Sequence, residues 1–384
     1  QRDTKIPVTD TFENDFYKIK IDEAESGITS IYDKTLSKEL IDTKSLHKLG
    51  SIIYEKLPNR KDMERLTGMI RDTVYRPLNE QHIELSNFEI VDVRDGDIWT
   101  SIICKAQLPE CAEKSGVNIE IRMYHHKKEI EFLYNMRKIE NTDPEGVYVA
   151  FPFSNENAQL VFEVQGGAVR PGTDQLSGSA SDWNTIQNYA AVKLDDAQIV
   201  FSSEDVPLVQ FGDINTGRYY YNNPVKNKGH IYSWVLNNYW TTNFKASQFG
   251  ELDWKYQITS SANKSNTFAT KFGWGNRVPF VTRTNSGKEK TGESQVVSES
   301  LINLDMVDNL LLVHSRPTET GDGVILHLRE TEGDHAILNI NKILQNQGVK
   351  EVFLVNSIGE KLEKLTEPFL IEHFETRFIL LKTK

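Results

Sequence analysis

Carboxylates, amides and aromatic rings concentrate in three stretches of this 384-residue chain. Residues 172–189, GTDQLSGSASDWNTIQNY, bring Asp174, Gln175, Asp182 and Trp183. Residues 217–223, GRYYYNN, add Arg218 beside three tyrosines, and residues 234–244, WVLNNYWTTNF, add Asn237, Asn238, Tyr239 and Trp240. These side chains suit a sugar, because aromatic faces present a π-surface to C–H groups while planar amides and carboxylates hydrogen-bond pairs of hydroxyls. The same residue types fill β-sandwich cores and turns, so composition leaves both readings open. Asp174 and Asp182 are the carboxylates that glycosidase chemistry would use as acid and base or nucleophile. Their separation in sequence sets no distance in space, and an Asp in such a loop also caps turns.

Histidine and cysteine offer other chemistry. His125-His126 invites a metal, since imidazole is the commonest zinc ligand, but adjacent strand residues point to opposite faces and no third ligand is close in sequence. The pair reads as part of a hairpin turn with Lys127 and Lys128. His230, near Tyr232 and Trp234, reads as packed against an apolar strand; the alternative pairs it with a carboxylate such as Asp182 as the acid/base couple of a free-standing epimerase. Cys104 and Cys111 are the only cysteines, too few for a disulfide framework, and read as ordinary thiols. The chain has no G-x-S-x-G elbow, P-loop, H-E-x-x-H or helix-opening G-x-G-x-x-G. The sequon Asn263-Lys264-Ser265 would carry a glycan only in a eukaryotic secretory setting.

The elements that must position these groups are strands. In Val117-Asn118-Ile119-Glu120-Ile121-Arg122-Met123 apolar and polar residues alternate, as in a half-buried antiparallel strand, and the pattern resumes at Ile130, Phe132, Tyr134 and Met136, which predicts a hairpin. Similar alternation marks Tyr17 to Ile21, Ile28 to Ile31 and Leu160 to Val164. Further β segments are expected at 90–106, 197–201, 230–236 and 252–258. Helical periodicity is scarce, with candidates only at Lys61 to Arg71 and Ile340 to Gln345. A second β series runs over 309–314, 323–330, 336–340, 349–355 and 378–381. The polar stretch RTNSGKEKTGESQVVSES, 283–300, reads as a linker and sets expected domains at 1–290 and 291–384. Frequent turns with few helices predict an all-β sandwich architecture.

The 55 acidic residues outnumber the 44 basic ones, for a formal charge of -11, spread along the chain. Such a surface repels phosphate backbones, so no nucleic-acid partner is expected. No apolar run reaches the roughly 18 residues of a membrane span, and the first ten residues lack a signal-peptide core, so no membrane partner is expected either. The chain opens on Gln1, which suggests a processed or truncated product of something longer. Compartment is left open.

Several stretches, in order, carry a family resemblance: Glu13 to Tyr17, Gly27 to Lys34, Pro144 to Phe153, Asp174 to Gly178 with Asp182-Trp183, and Asn237 to Phe244. His327 to Glu330 with Gly333, and Phe374 to Phe378, continue it. The chain resembles the C-terminal β region of glycoside hydrolase family 38 α-mannosidases. The resemblance implies a large galactose-mutarotase-like β supersandwich followed by a smaller β-sandwich. It further implies that retaining, zinc-dependent hydrolysis of α-mannosides is performed by an N-terminal catalytic domain of the same polypeptide. None of that domain's motifs occurs here, so no catalytic residue, metal ligand or cofactor is expected in this chain, which alone would lack mannosidase activity. Such a β portion would support the catalytic domain and meet an α-mannoside carbohydrate, with Asp174, Gln175, Asp182, Trp183, Arg218, Asn237, Asn238, Tyr239 and Trp240 as candidate substrate-lining residues. A purely structural β module is the remaining alternative.

Overall fold

The computed structural model describes residues 3–58, 79–111, 116–176, 179, 182–216, 225, 228–239, 245, 247–278, 307–346 and 348–383. The helix expected over Lys61 to Arg71, the domain boundary expected at residue 290, and the candidate residues Arg218 and Trp240 lie outside them.

Period-two burial builds the sheets. Along Val117–Tyr124 buried and half-buried residues alternate without a break, and pairing with Ile130–Lys138 sets Val117 against Met136 and Met123 against Ile130. This is the expected hairpin. It lies within a ten-stranded antiparallel sheet, in the order Thr4–Lys5, Ser86–Asp95, Trp99–Gln107, Val117–Tyr124, Ile130–Lys138, Gly250–Ser261, Gln198–Ser203, Ala190–Lys193, Gln159–Val164 and Gly167–Val169. The β segment expected over 90–106 is two strands, because Gly96 N–H donates to Trp99 O and closes a turn between them.

A six-stranded sheet follows the order Asn184–Thr185, Leu208–Phe211, His230–Asn237, Glu145–Pro152, Ile52–Lys56 and Gln81–Glu84. A four-stranded sheet joins Thr11–Glu13, Tyr17–Asp22, Gly27–Asp33 and Lys38–Glu39. One apolar core takes Phe132, Tyr256 and Phe201 from the ten-stranded sheet and Val149, Phe151 and Ile231 from the six-stranded one. Phe151 is its hub, with ring centroids 4.8 Å from Phe201 and 5.0 Å from Tyr256. Glu145–Pro152 is buried along both faces; a strand covered on two sides shows no alternation, so periodicity misses it.

The chain divides into two compact units, Gln1–Lys264 with Phe272–Arg277, and Ser265–Lys271 with Val278–Lys384. In the smaller unit a five-stranded antiparallel sheet runs Leu310–Pro317, Gly323–Glu330, Thr376–Lys382, Glu351–Val355, Lys361–Leu365, beside a two-stranded ladder of Ala336–Leu338 and Phe369–Ile371. Leu326, Leu328, Leu338, Ile340, Val352, Ile371 and Ile379 form its core. The short helix Ile340–Ile343 begins where Asn339 Oδ1 accepts the Lys342 N–H at 3.1 Å. A longer helix, Asn266–Arg277, was not anticipated. Glu332 Oε2 accepts the Thr267 N–H at 2.9 Å and so places negative charge at that helix's N-terminus, where the dipole favours it. The described residues are thus all-β in class, a large multi-sheet sandwich followed by a smaller one, with these two helices.

Candidate functional site

Alternation gives the six-stranded sheet a second, chemically distinct face. Ile52, Tyr54, Val149, Phe151 and Ile231 point into the main core; Ile53, Tyr148, Ala150, Tyr232 and Trp234 gather on the other side, with Tyr239 joining from the following loop. Register adds charge to that face. Glu55 pairs across the ladder with His82, and Ile53 with Glu84, so the carboxylate and the imidazole stand side by side.

Glu55 is wholly buried. Its Oε2 lies 2.6 Å from His82 Nε2 and accepts the Thr216 hydroxyl at 2.8 Å. Its Oε1 accepts the hydroxyls of Tyr239 and, at 3.4 Å, of Tyr148. The two tyrosine oxygens are 2.9 Å apart. A carboxylate removed from water needs this many partners, since an unpaired buried charge is far costlier than a paired one. Burial acts to lower the His82 pKa, but the hydrogen bond and charge of Glu55 outweigh it and hold the imidazole above its ordinary value. Burial pushes the Tyr148 and Tyr239 hydroxyls far up, so both remain protonated donors.

Two further imidazole–carboxylate pairs flank this one. His47 Nδ1 lies 2.7 Å from Glu84 Oε1, and His230 Nε2 lies 3.1 Å from Asp42 Oδ2, with Asn155 Nδ2 at 3.0 Å. Tyr232 stands between them, its ring centroid 6.0 Å from that of His47 and 6.4 Å from that of His230, while the rings of His47 and His82 are 6.2 Å apart. In His47 and His230 burial prevails over the carboxylate and lowers the pKa. One face therefore holds a proton tightly at His82 and loosely at two neighbours. His230 Nδ1 is buried without a hydrogen-bond partner among the described residues. Such a face can donate to and accept from hydroxyl groups, and each imidazole can act as acid or base.

The structure disperses the residues singled out from sequence. Asp174 is drawn into a bidentate pair with Arg170, whose guanidinium lowers the Asp174 pKa. Gln175 accepts the Gly172 N–H at 2.8 Å and donates to Asn184 Oδ1 at 2.8 Å. Asp182 is buried, and its main-chain carbonyl accepts from Asn215 Nδ2 at 3.0 Å. Trp183 packs edge-on to Trp234 at 5.7 Å, at the margin of the aromatic face. Tyr239 belongs to that face through Glu55. Asn237 ends its strand, and Asn238 donates at 2.8 Å to Glu145 Oε1, a second buried carboxylate that also pairs with Lys138 Nζ at 3.0 Å and the Tyr54 hydroxyl at 2.7 Å. Of the candidates, Trp183 and Tyr239 therefore meet on one face, while Asn238 clamps a separate buried ion pair.

Sequence reasoning did not reach Glu55, His47, His82, Asp42 or Tyr148. Glu55 had a local signal, a carboxylate immediately after the apolar run Ile52-Ile53-Tyr54; the histidines had none, because register alone brings them together. Cys104 and Cys111 are free and buried, and burial raises their pKa to about 12 and about 11, which suits inert thiols. His125 pairs with Asp95 at 3.3 Å in the hairpin connection. Among the described residues one trio of His, Cys, Asp or Glu brings its ligand atoms within metal reach, and it lies in the smaller unit rather than on this face.

Fold and face together define a class: a multi-sheet β-sandwich protein with imidazole–carboxylate pairs among aromatic rings on one sheet. The family follows from the sequence. The family described as glycosyl hydrolases family 38 C-terminal domain matches residues 12–203, half of the chain, and the chain belongs to it. Among solved structures, an α-mannosidase from Enterococcus faecalis V583 superposes with a TM-score of 0.65 at 14% identity, over 98% of this chain and 42% of that one. A protein in glycosyl hydrolase family 38 from Enterococcus faecalis gives a TM-score of 0.64 at 14% identity, over 98% and 44%. The chain spans less than half the length of either. No curated protein matches it.

Proposed function

We propose that this chain serves as the carboxyl-terminal β portion of a family 38 α-mannosidase, supporting a catalytic domain carried elsewhere in the same polypeptide and offering a carbohydrate-facing surface on its six-stranded sheet. The observation that carries this reading is the set of three imidazole–carboxylate pairs on one face, two of which flank Tyr232. Imidazole nitrogens and carboxylate oxygens match a hydroxyl's ability to donate and accept; the rings of Tyr148, Tyr232, Trp234 and Tyr239 are buried in the packing of this face, and the half-buried Trp183 at its margin is the ring that can meet sugar C–H groups. Retaining cleavage of α-mannosides and its zinc ion belong, in this reading, to the catalytic domain. The residues of this chain hold and orient; none is asked to act as nucleophile.

Nuclear magnetic resonance of the histidine rings during titration with mannose tests the surface. Selective shifts of the His47, His82 and His230 signals are expected, and their absence at saturating sugar would remove the carbohydrate part of the reading.

A free-standing epimerase is a second reading, favoured by the same face because His47 and His230 have pKa values lowered toward the neutral, proton-accepting form. It predicts that the chain alone accelerates the interconversion of mannose anomers followed by polarimetry. Rates equal to those of buffer would eliminate it.

A further inference from the structure

We propose that His335, Glu372 and His373, in the smaller unit, form a divalent transition-metal site of the zinc class, separate from the zinc that the family resemblance assigns to a catalytic domain. Each of these residues offers one ligand atom, and the three atoms all lie within 4.8 Å of one another. Donors about 2.0–2.2 Å from a tetrahedral ion stand roughly 3.3–3.6 Å apart, so small side-chain rotations close the set. His335 Nδ1 and Glu372 Oε2 are already 3.1 Å apart, and the rings of His335 and His373 are 4.3 Å centroid to centroid.

The fold puts these groups there by register. Ala336 pairs with Ile371 in the two-stranded ladder, so His335 and Glu372 are the next positions on the two strands, where both chains leave the sheet. One buried carboxylate then ties the two loops together. Glu330 Oε1 accepts the Glu332 N–H at 2.7 Å; Glu330 Oε2 accepts the Gly333 N–H at 2.9 Å from one loop and the Phe374 N–H at 2.8 Å from the other. The Phe374 ring covers Gly333 so closely that a Cβ there would meet its Cζ at 2.6 Å. The loops carrying the three ligands are therefore fixed before any ion arrives, which lowers the entropic cost of assembling them.

The second imidazole is also prepared. His373 Nδ1 lies 2.9 Å from the Gly333 carbonyl oxygen, which can only accept. Nδ1 therefore carries the proton, and the neutral ring keeps its lone pair on Nε2. A ligating histidine typically donates its other N–H to a carbonyl or carboxylate in this way. Two imidazoles and one carboxylate select zinc-like ions over calcium and magnesium, which prefer all-oxygen shells. All three side chains are exposed, so an ion reaches them directly from solvent and retains an open position for water.

Calorimetric titration of the chelator-treated chain with zinc chloride, and separately with calcium chloride, tests the site. The wild-type chain is expected to bind zinc and give no calcium heat. The double variant His335→Ala/His373→Ala is expected to lose one zinc equivalent, and Glu372→Gln to weaken that equivalent by roughly tenfold or more. Because the side chains are exposed, both variants are expected to keep the wild-type circular dichroism. Unchanged zinc stoichiometry and affinity in the folded double variant would overturn the site. Equal calcium and zinc affinities would overturn its class.

Discussion

Glu55 shows how one residue organises the candidate face. Its carboxylate accepts from Thr216, Tyr239 and Tyr148 and pairs with His82, so Glu55→Ala would strand three buried hydroxyls and remove the partner of the partly exposed His82 imidazolium. The expected loss is about 3–5 kcal/mol in urea unfolding, with Glu55→Gln losing less because an amide keeps one acceptor. His82 has a raised folded-state pKa, so the folded protein holds the extra proton; its contribution is full below the ordinary value of about 6.5 and fades as pH rises through the raised value. His47 and His230 are lowered, so the unfolded chain binds more protons and stability falls as pH drops below about 6.5. Urea midpoints measured across this range should therefore lose their alkaline decline in His82→Gln while keeping the acid one; an unchanged alkaline slope would contradict the assignment. Only part of this was legible in sequence. Tyr239 and Asn238 were visible as unusual, yet each serves a buried carboxylate whose position depends on pairing between strands distant in the chain. His47 and His82, 35 residues apart, carry no local sign that they meet.

At the scale of elements, legibility followed exposure. Strands with one wet face, such as Val117–Tyr124, show their period in sequence; Glu145–Pro152, dry on both faces, shows none. The helix Asn266–Arg277 was hidden for another reason. It contains Gly273 and Gly275, which lower its intrinsic propensity, and it is held by contacts rather than by pattern. The two glycines predict opposite outcomes. Replacing either with alanine favours the helix by about 1 kcal/mol. At Gly273, however, the new Cβ would meet the main-chain oxygen of Asn188 at 2.5 Å, a backbone atom that cannot yield cheaply. At Gly275 nothing lies within 4 Å. Thermal unfolding should show Gly273→Ala destabilised and Gly275→Ala modestly stabilised, and the same sign at both positions would contradict this packing.

At the scale of the whole molecule, the all-β class was readable because many short alternating segments all point to one architecture. The family resemblance rested on ordered motifs such as Pro144 to Phe153, which lies within the matched residues 12–203, and Phe374 to Phe378, which lies beyond them. Their structural reasons emerge only in three dimensions. The first is the strand that carries Tyr148; the second contains the Phe374 N–H that Glu330 accepts. The division into two units and the acidic surface constrain partners without naming a substrate. The central claim is that this chain supports catalysis rather than performing it. It is tested most directly by hydrolysis of an aryl α-mannoside with zinc present, by this 384-residue chain and by the full-length gene product side by side. Turnover by the full-length product and none by the chain alone is the predicted result. Turnover by the chain alone would place a catalytic pair within these residues and contradict the account.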